Sequence, residues 1–308
     1  MKKVLSLFKF SEDVLSPPLI SAHSTLAERL GYSKEAKLLI IHADDAGLAH
    51  SENAATIKAF EEGSINSASI MVPSPWFQEM ATYAKNNTKL DIGIHLTLTA
   101  EWKNYKWGGV LPATEIKSLL NTEGYFYAKV KDVVEHANLN EVEKELTAQI
   151  ERALMFEVQP THLDSHMATL FSTPELFKIY IKLGEKYRLP VFIPMNVVKD
   201  YPELLKKITT SQIPIDNYTM MLQNISKEDW TAFYINALEK LEPGVHQFLV
   251  HVAYNNDEMQ AVAIDHPSFG VTWRQNDFDT LKSIAFKEAL HKNKIQLITW
   301  RDIKNIQY

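Results

Sequence analysis

The 308-residue chain has no cysteine, which excludes disulfide bridges, cysteine-ligated zinc and a thiol nucleophile. Glycine is scarce at ten residues, and none falls in a Gly-x-Gly-x-x-Gly or Walker-type loop, so a nucleotide cofactor has no support. A basic surplus is also missing. Lys plus Arg number 32 against 38 Asp plus Glu, a net charge of −6, and without a basic block no nucleic-acid partner is expected. No stretch approaches the ~20 apolar residues of a membrane span, so no membrane partner is expected either. Met1-Lys2-Lys3 followed by Val4-Leu5-Ser6-Leu7-Phe8 imitates the start of a secretory signal, but Lys9 ends the apolar run and Glu12 and Asp13 follow. A cytoplasmic location is expected, with export after removal of a signal as the alternative.

What is present is a globular composition, 45% hydrophobic and 23% charged, with enough apolar residues for a large core. Length alone, divided by about 150 residues per domain, leaves two domains or one barrel equally open. The pattern decides. Short apolar runs at 37–42, 67–72, 90–96, 161–164, 189–194, 246–252 and 295–299 read as strands, with an eighth available in 216–222. Helical signals lie between them. Ser74-Pro75 and Thr173-Pro174 look like N-caps followed by a first-turn proline. Val142, Leu146, Ile150, Ala153 and Leu154 repeat at helical spacing, and Ser226-x-x-Asp229 resembles a capping box before a helix stopped by Pro243-Gly244. This alternation predicts a single-domain α/β protein, a distorted (β/α) barrel of seven or eight mostly parallel strands spanning 37–308. An N-terminal extension, 1–36, precedes it with a short helix over 24–30. Two long segments, 100–140 and 253–276, interrupt the rhythm, as functional loops do.

Polar clusters sit at the ends of several predicted strands, where such barrels carry their active sites. His42-Ala43-Asp44-Asp45 places adjacent carboxylates at a strand end, costly without a cation or a shared proton; helix capping by one Asp is the plainer reading. His95, in Gly93-Ile94-His95-Leu96-Thr97-Leu98-Thr99, taken alone is a hydrogen-bonded core histidine. In Thr161-His162-Leu163-Asp164-Ser165-His166, three potential ligands fall at i, i+2 and i+4 on one side of an extended chain. His251 ends the run Phe248-Leu249-Val250. Without cysteine, any metal must be held by His, Asp and Glu, and the chain has 11 His. One Asp with two His is a common catalytic set that leaves sites for water and substrate. Imidazoles favour zinc, nickel, cobalt or iron over magnesium. A spare carboxylate could deprotonate water and a further His could protonate a leaving group, which is the machinery of hydrolysis.

Asp44-Asp45-Ala46-Gly47-Leu48, the Gly93–Thr99 run, Pro160-Thr161-His162-Leu163-Asp164-Ser165-His166, Val250-His251 and Thr299-Trp300-Arg301-Asp302-Ile303 resemble, in order, the motifs of the YdjC-like carbohydrate deacetylases. That family includes chitooligosaccharide deacetylases. The resemblance implies hydrolytic removal of an acetyl group from an N-acetylated mono- or oligosaccharide. It also implies one divalent metal held by Asp45, His95 and His166, with zinc the first choice and magnesium, nickel or cobalt open. Asp44 would be the general base and His251 the acid. The chain departs from the family in three places. Met167 and Leu170 stand where further histidines are frequent. Val250-His251-Val252 replaces Cys-His-Pro, and Ala46 replaces a Phe. Substrate contacts are expected from His162, Asp164, Arg274 and the aromatics Trp102, Trp107 and Tyr125, against plain loop packing for the aromatics and, for Arg274, a surface position or a role in orienting Asp44. The rival functions are a metal-dependent sugar isomerase or epimerase and an inactive sugar-binding relative. A homodimer is left open.

Overall fold

The computed structural model describes residues 24–308; the signal-like start discussed above lies outside the described residues. The first core strand, β1 (Lys37–Ala46), is apolar on both faces, the pattern of a parallel strand covered on each side. It pairs in parallel with β2 (Ser67–Ile70) and with the later β6 (Gly244–Val250). From β2 the sheet continues in parallel through β3 (Ile92–Leu96) to β4 (Leu163–Ser165), and β5 (Asn217–Met220) flanks β6. The order is therefore β4-β3-β2-β1-β6-β5. Single parallel bridges, Leu163 to Val191 and Pro194 to Ile215, link β4 towards β5 through the intervening chain. The sheet so curls into a distorted barrel.

Two expectations shift. The strand expected at 189–194 contributes only those two bridges, and the extra strand anticipated in 216–222 is real as β5. The last strand, β7 (Gln296–Leu297), pairs with the start of β1, below β2 on the same edge. Asn66 joins the two levels: its side chain accepts from Ile41 N (2.7 Å) and donates to Ile298 O (2.5 Å).

Alternation along β1 separates two cores. Leu39, Ile41 and Ala43 face outward against Ala55, Ala59, Tyr234, Leu238 and Phe286 of the surrounding helices. Leu38 and Ile40 face inward with Val245, Phe192, Ile215 and Trp300. Trp300 opens the C-terminal helix Trp300–Gln307, capped by Thr299 and Asp302, and plugs the barrel floor. Asp91 accepts from Trp300 N and Arg301 N, and the indole donates to Gln247.

The expected N-terminal helix is present as Leu26–Arg29, with a Thr25–Glu28 capping box. Thr173 caps its helix with Pro174 in the first turn. Ser74 does not cap: its hydroxyl donates to Gly47 O and Met71 O, and the helix begins at Phe77. Ser226 and Asp229 do hydrogen-bond each other, one turn before the helix Trp230–Glu239. No helix among the described residues is long and apolar enough to cross a membrane.

Candidate metal centre and active-site cavity

The upper end of β1 carries the key irregularity. Ala43 pairs with Ala68 and Ala46 with Ile70, so β1 holds one residue more than β2 over this interval, a bulge that includes Asp44 and Asp45. Asp45 has φ +65°, a left-handed conformation that Asp tolerates better than most residues. The extra residue and the positive φ break the up-down alternation of the strand. Both carboxylates consequently line one cavity of about 400 Å³ at the carboxyl ends of the strands.

Into that cavity β3 delivers His95, and the residue after β4 delivers His166. Asp45 Oδ1 lies 3.2 Å from His95 Nε2 and 3.1 Å from His166 Nδ1, and the two imidazole nitrogens are 3.2 Å apart. The opposite nitrogen of each ring is engaged. His95 Nδ1 is 2.7 Å from Asp164 Oδ1, and His166 Nε2 is 3.0 Å from Glu101 Oε2. A carboxylate behind an imidazole fixes ring orientation and tautomer, leaving the other nitrogen to face a ligand. Asp45 Oδ2 accepts from Arg274 Nη2 at 2.7 Å.

Asp44 stands apart from this trio, its Oδ1 3.0 Å from His42 Nε2 and its Oδ2 3.9 Å from His95 Nε2. His42 in turn lies 2.8 Å from Asp164 Oδ2 and 2.8 Å from Ser67 Oγ. His251 also lines the cavity, with Nε2 3.9 Å from Asp45 Oδ2.

The electrostatics follow from this crowding. Five carboxylates, Asp44, Asp45, Glu52, Glu101 and Asp164, crowd this region, and Arg274 pairs with two of them, Asp45 and Glu52. Burial pulls the His42 pKa down, but hydrogen bonds and charge from Asp164 and Asp44 outweigh it and lift the ring to about 9. His166 is likewise lifted to about 9, Glu101 and Asp45 overcoming burial. Burial works against the charge of Asp45 too, yet Arg274 and His166 hold its carboxyl well below the usual range. His251 behaves oppositely: burial lowers it to about 4, so it rests neutral at pH 7.

The donor set fits a divalent cation. Ligand atoms of Asp45, His95 and His166 lie within 4.8 Å of one another, and Asp45 Oδ1 is buried without a hydrogen-bond partner. The carboxylate excess that draws protons onto His42 and His166 is an excess that a cation could equally satisfy. Two further groupings, His42–His162–Asp164 and Asp44–His95–Asp164, satisfy the same spacing. The first lies below the cavity, however, and Asp164 already serves two imidazoles.

Several residues expected to touch substrate lie elsewhere. His162 is fully buried beneath the site, stacked on Trp300 (5.1 Å) and edge-on to His42 (4.9 Å); it shares the inward side of Asp164, one layer down. Asp164 reaches the cavity floor but is taken up by His42 and His95. Arg274 is not on the surface; at 1% exposure it bridges Asp45 and Glu52, and its acidic partner is Asp45 rather than Asp44. Trp102 and Trp107 are only 1% and 4% exposed, the former packed on His266 and under the Arg274 guanidinium. Tyr125 is 39% exposed but, like both tryptophans, does not line the cavity. Packing accounts for Trp102 and Trp107, whose rings join the main core, but not for Tyr125.

Sequence reading missed Glu101 and Glu52. Glu101 follows β3 closely, and the strand-end rule could have flagged it. Glu52 lies on the helix His50–Glu61 and carries no local signal.

Comparison with known proteins agrees with this architecture. Residues 38–292 match the family described as YdjC-like protein. A carbohydrate deacetylase of Thermus thermophilus is 31% identical over 289 residues, covering 91% of this chain and 98% of its own. One from Brevibacillus brevis is 28% identical over 268 residues, covering 86% and 99%. A crystal structure from Enterococcus faecalis V583, of a protein provisionally named for cellobiose-phosphate cleavage, superposes with a TM-score of 0.74 at 26% identity, covering 87% of this chain and 99% of that one. The chain belongs to the YdjC-like family.

Proposed function

We propose that this protein is a metal-dependent hydrolase that removes an acetyl group from an N-acetylated mono- or oligosaccharide. The observation that carries this reading is the convergence of Asp45 Oδ1, His95 Nε2 and His166 Nδ1 beside Asp44 and His251 in one cavity. The relatives named carbohydrate deacetylase supply the substrate class. In this reading Asp45, His95 and His166 hold one divalent cation, zinc by preference given two imidazoles. A cation there would polarise the amide carbonyl and acidify water.

The protein's own groups do the rest. Asp164 and Glu101 hold the two imidazoles in their working orientation, and Arg274 immobilises Asp45 through its second oxygen. Asp44, not shared with Arg274, takes the proton from the attacking water. The hydroxyl adds to the acyl carbon, the C–N bond breaks, and the sugar nitrogen leaves as an amine once it gains a proton. His251 faces the same cavity and delivers that proton. Because burial keeps His251 neutral at pH 7, the proton it delivers is one acquired during turnover.

The test is a screen of acetylated sugars for acetate release, run with metal-loaded and chelated protein. Acetate released only by the loaded form is expected. Sugar interconversion without acetate would favour an isomerase, and metal binding without turnover on any acetylated sugar would favour an inactive binder.

A further inference from the structure

The polar groups of the cavity cluster around the triad, whereas the side of the barrel between β4 and β6 presents hydrocarbon. Phe171 follows β4, Phe192 lies on the bridging chain, Val197 on the short helix Met195–Val198, Met220 ends β5 and Leu249 lies on β6, and all five line the same cavity as the triad. Tyr218 adds its ring, edge-on to Phe192 at 5.8 Å. Four of the five apolar residues are only half-buried. Leu249 is the one residue of β6 that is not fully buried. The cavity thus has a wall of incompletely covered apolar side chains drawn from four separate elements.

A hydroxylated sugar laid on that wall would exchange water for carbon, and each buried hydroxyl left unpaired would cost free energy. An alkyl chain would gain from the same contact. In a sugar amide the acyl group is attached to the reacting carbon itself, so it must occupy space adjoining the triad. The sugar, on the nitrogen side, can point to the open mouth.

We propose that the apolar wall accommodates an acyl chain of several carbons, making this protein a deacylase of amino sugars whose amide is longer than acetyl. The inference rests on the amide-hydrolase reading above and puts a longer acyl chain in place of its acetyl group. The reaction balances as before: water supplies hydroxyl to the acyl carbon and a proton to the nitrogen, and the products are a longer carboxylate and the free amino sugar.

The test compares N-acetyl-, N-butanoyl- and N-hexanoylglucosamine with the metal-loaded protein, reading kcat/KM by release of the free amine and Kd by calorimetry. Both should improve with chain length, by roughly two- to fourfold per added methylene. Val197→Asp and the near-isosteric Val197→Thr should flatten the dependence on chain length, the Thr variant guarding against a misfolded Asp variant. A best substrate of N-acetylglucosamine, with weaker binding of the longer amides, overturns this inference and leaves the deacetylase reading standing. If no amide is hydrolysed but Kd still falls with chain length, the wall is supported and the hydrolase reading fails. A matched series of alkyl glycosides of N-acetylglucosamine provides the remaining comparison: improvement there alone would assign the wall to the aglycone and overturn the acyl assignment.

Discussion

Adjacent aspartates at the end of β1 are chemically identical but meet different neighbours. Asp45 has Oδ2 fixed by Arg274 and Oδ1 turned between His95 and His166, so it is the rigid member. Asp44 has no guanidinium partner and leans on His42, whose ring is held by Asp164 and Ser67. Asp45→Asn should therefore lose metal first and activity as a consequence, with partial rescue by excess metal. Asp44→Asn should keep its metal yet lose about 10²–10⁴-fold in kcat, the range for a missing general base. Elemental analysis beside acetate release separates the two; metal lost from the Asp44 variant and retained in the Asp45 variant would exchange their roles. Full activity in either variant would end this mechanism.

Between elements, the contacts that hold the site are tight or charged. A Cβ at Gly93 of β3 would fall 2.5 Å from His162 Nε2 and Cε1, and that ring, packed on Trp300 and His42, has little room to yield. Gly93→Ala should cost about 1–3 kcal/mol by overpacking, read from urea unfolding, and an unchanged midpoint would mean that the His162 ring can move aside. Asp277, on the helix Val271–Lys282, accepts from Trp230 Nε1 (2.8 Å), Tyr234 OH (2.9 Å) and His251 N (3.0 Å). It thus joins three elements under the end of β6. Burial, only partly offset by these bonds, raises its pKa to about 7. With the folded-state pKa above the unfolded one, the folded protein keeps this proton where the unfolded chain has released it. The stabilisation is complete below about pH 4 and is lost as pH rises towards about 7. Asp277→Asn cannot titrate, so the stability of the wild type minus that of the variant should fall between pH 4 and 7. Parallel stability curves would show that Asp277 ionises normally.

Across the whole molecule, the barrel stacks its interior in layers, from Trp300 at the floor through His162 and His42 to the carboxylates at the mouth. A cation at the top would join β1, β3 and the segment after β4, and only the folded chain brings those ligands together. Metal binding should therefore stabilise the fold. At one hundred times its Kd a divalent metal adds about 2.7 kcal/mol, or roughly 5 °C in Tm for a chain of this size. Chelation should reverse the shift, and Asp45→Asn should abolish it. An unchanged Tm at saturating zinc, nickel, cobalt and magnesium would count against a metal at this triad.

Local periodicity was sufficient to read much of this protein. Apolar runs located most of the strands because a buried parallel strand must be apolar on both faces, and the strand-end rule found Asp44, Asp45, His95, His166 and His251 because their carriers are strands. The i, i+2, i+4 spacing put His162, Asp164 and His166 on one side correctly. It could not say which of their successive levels meets the cavity, since that depends on what packs beneath the strand, here Trp300 under His162. Nor could spacing reveal the bulge that turns both aspartates into one cavity, as strict alternation predicts the reverse. The burial of Trp102 and Trp107, the grip of Arg274 on Asp45 from 229 positions away, and the apolar wall drawn from four elements were decided by the tertiary structure alone. Each depends on side chains that meet only when distant segments pack, and no local pattern along the chain records that meeting.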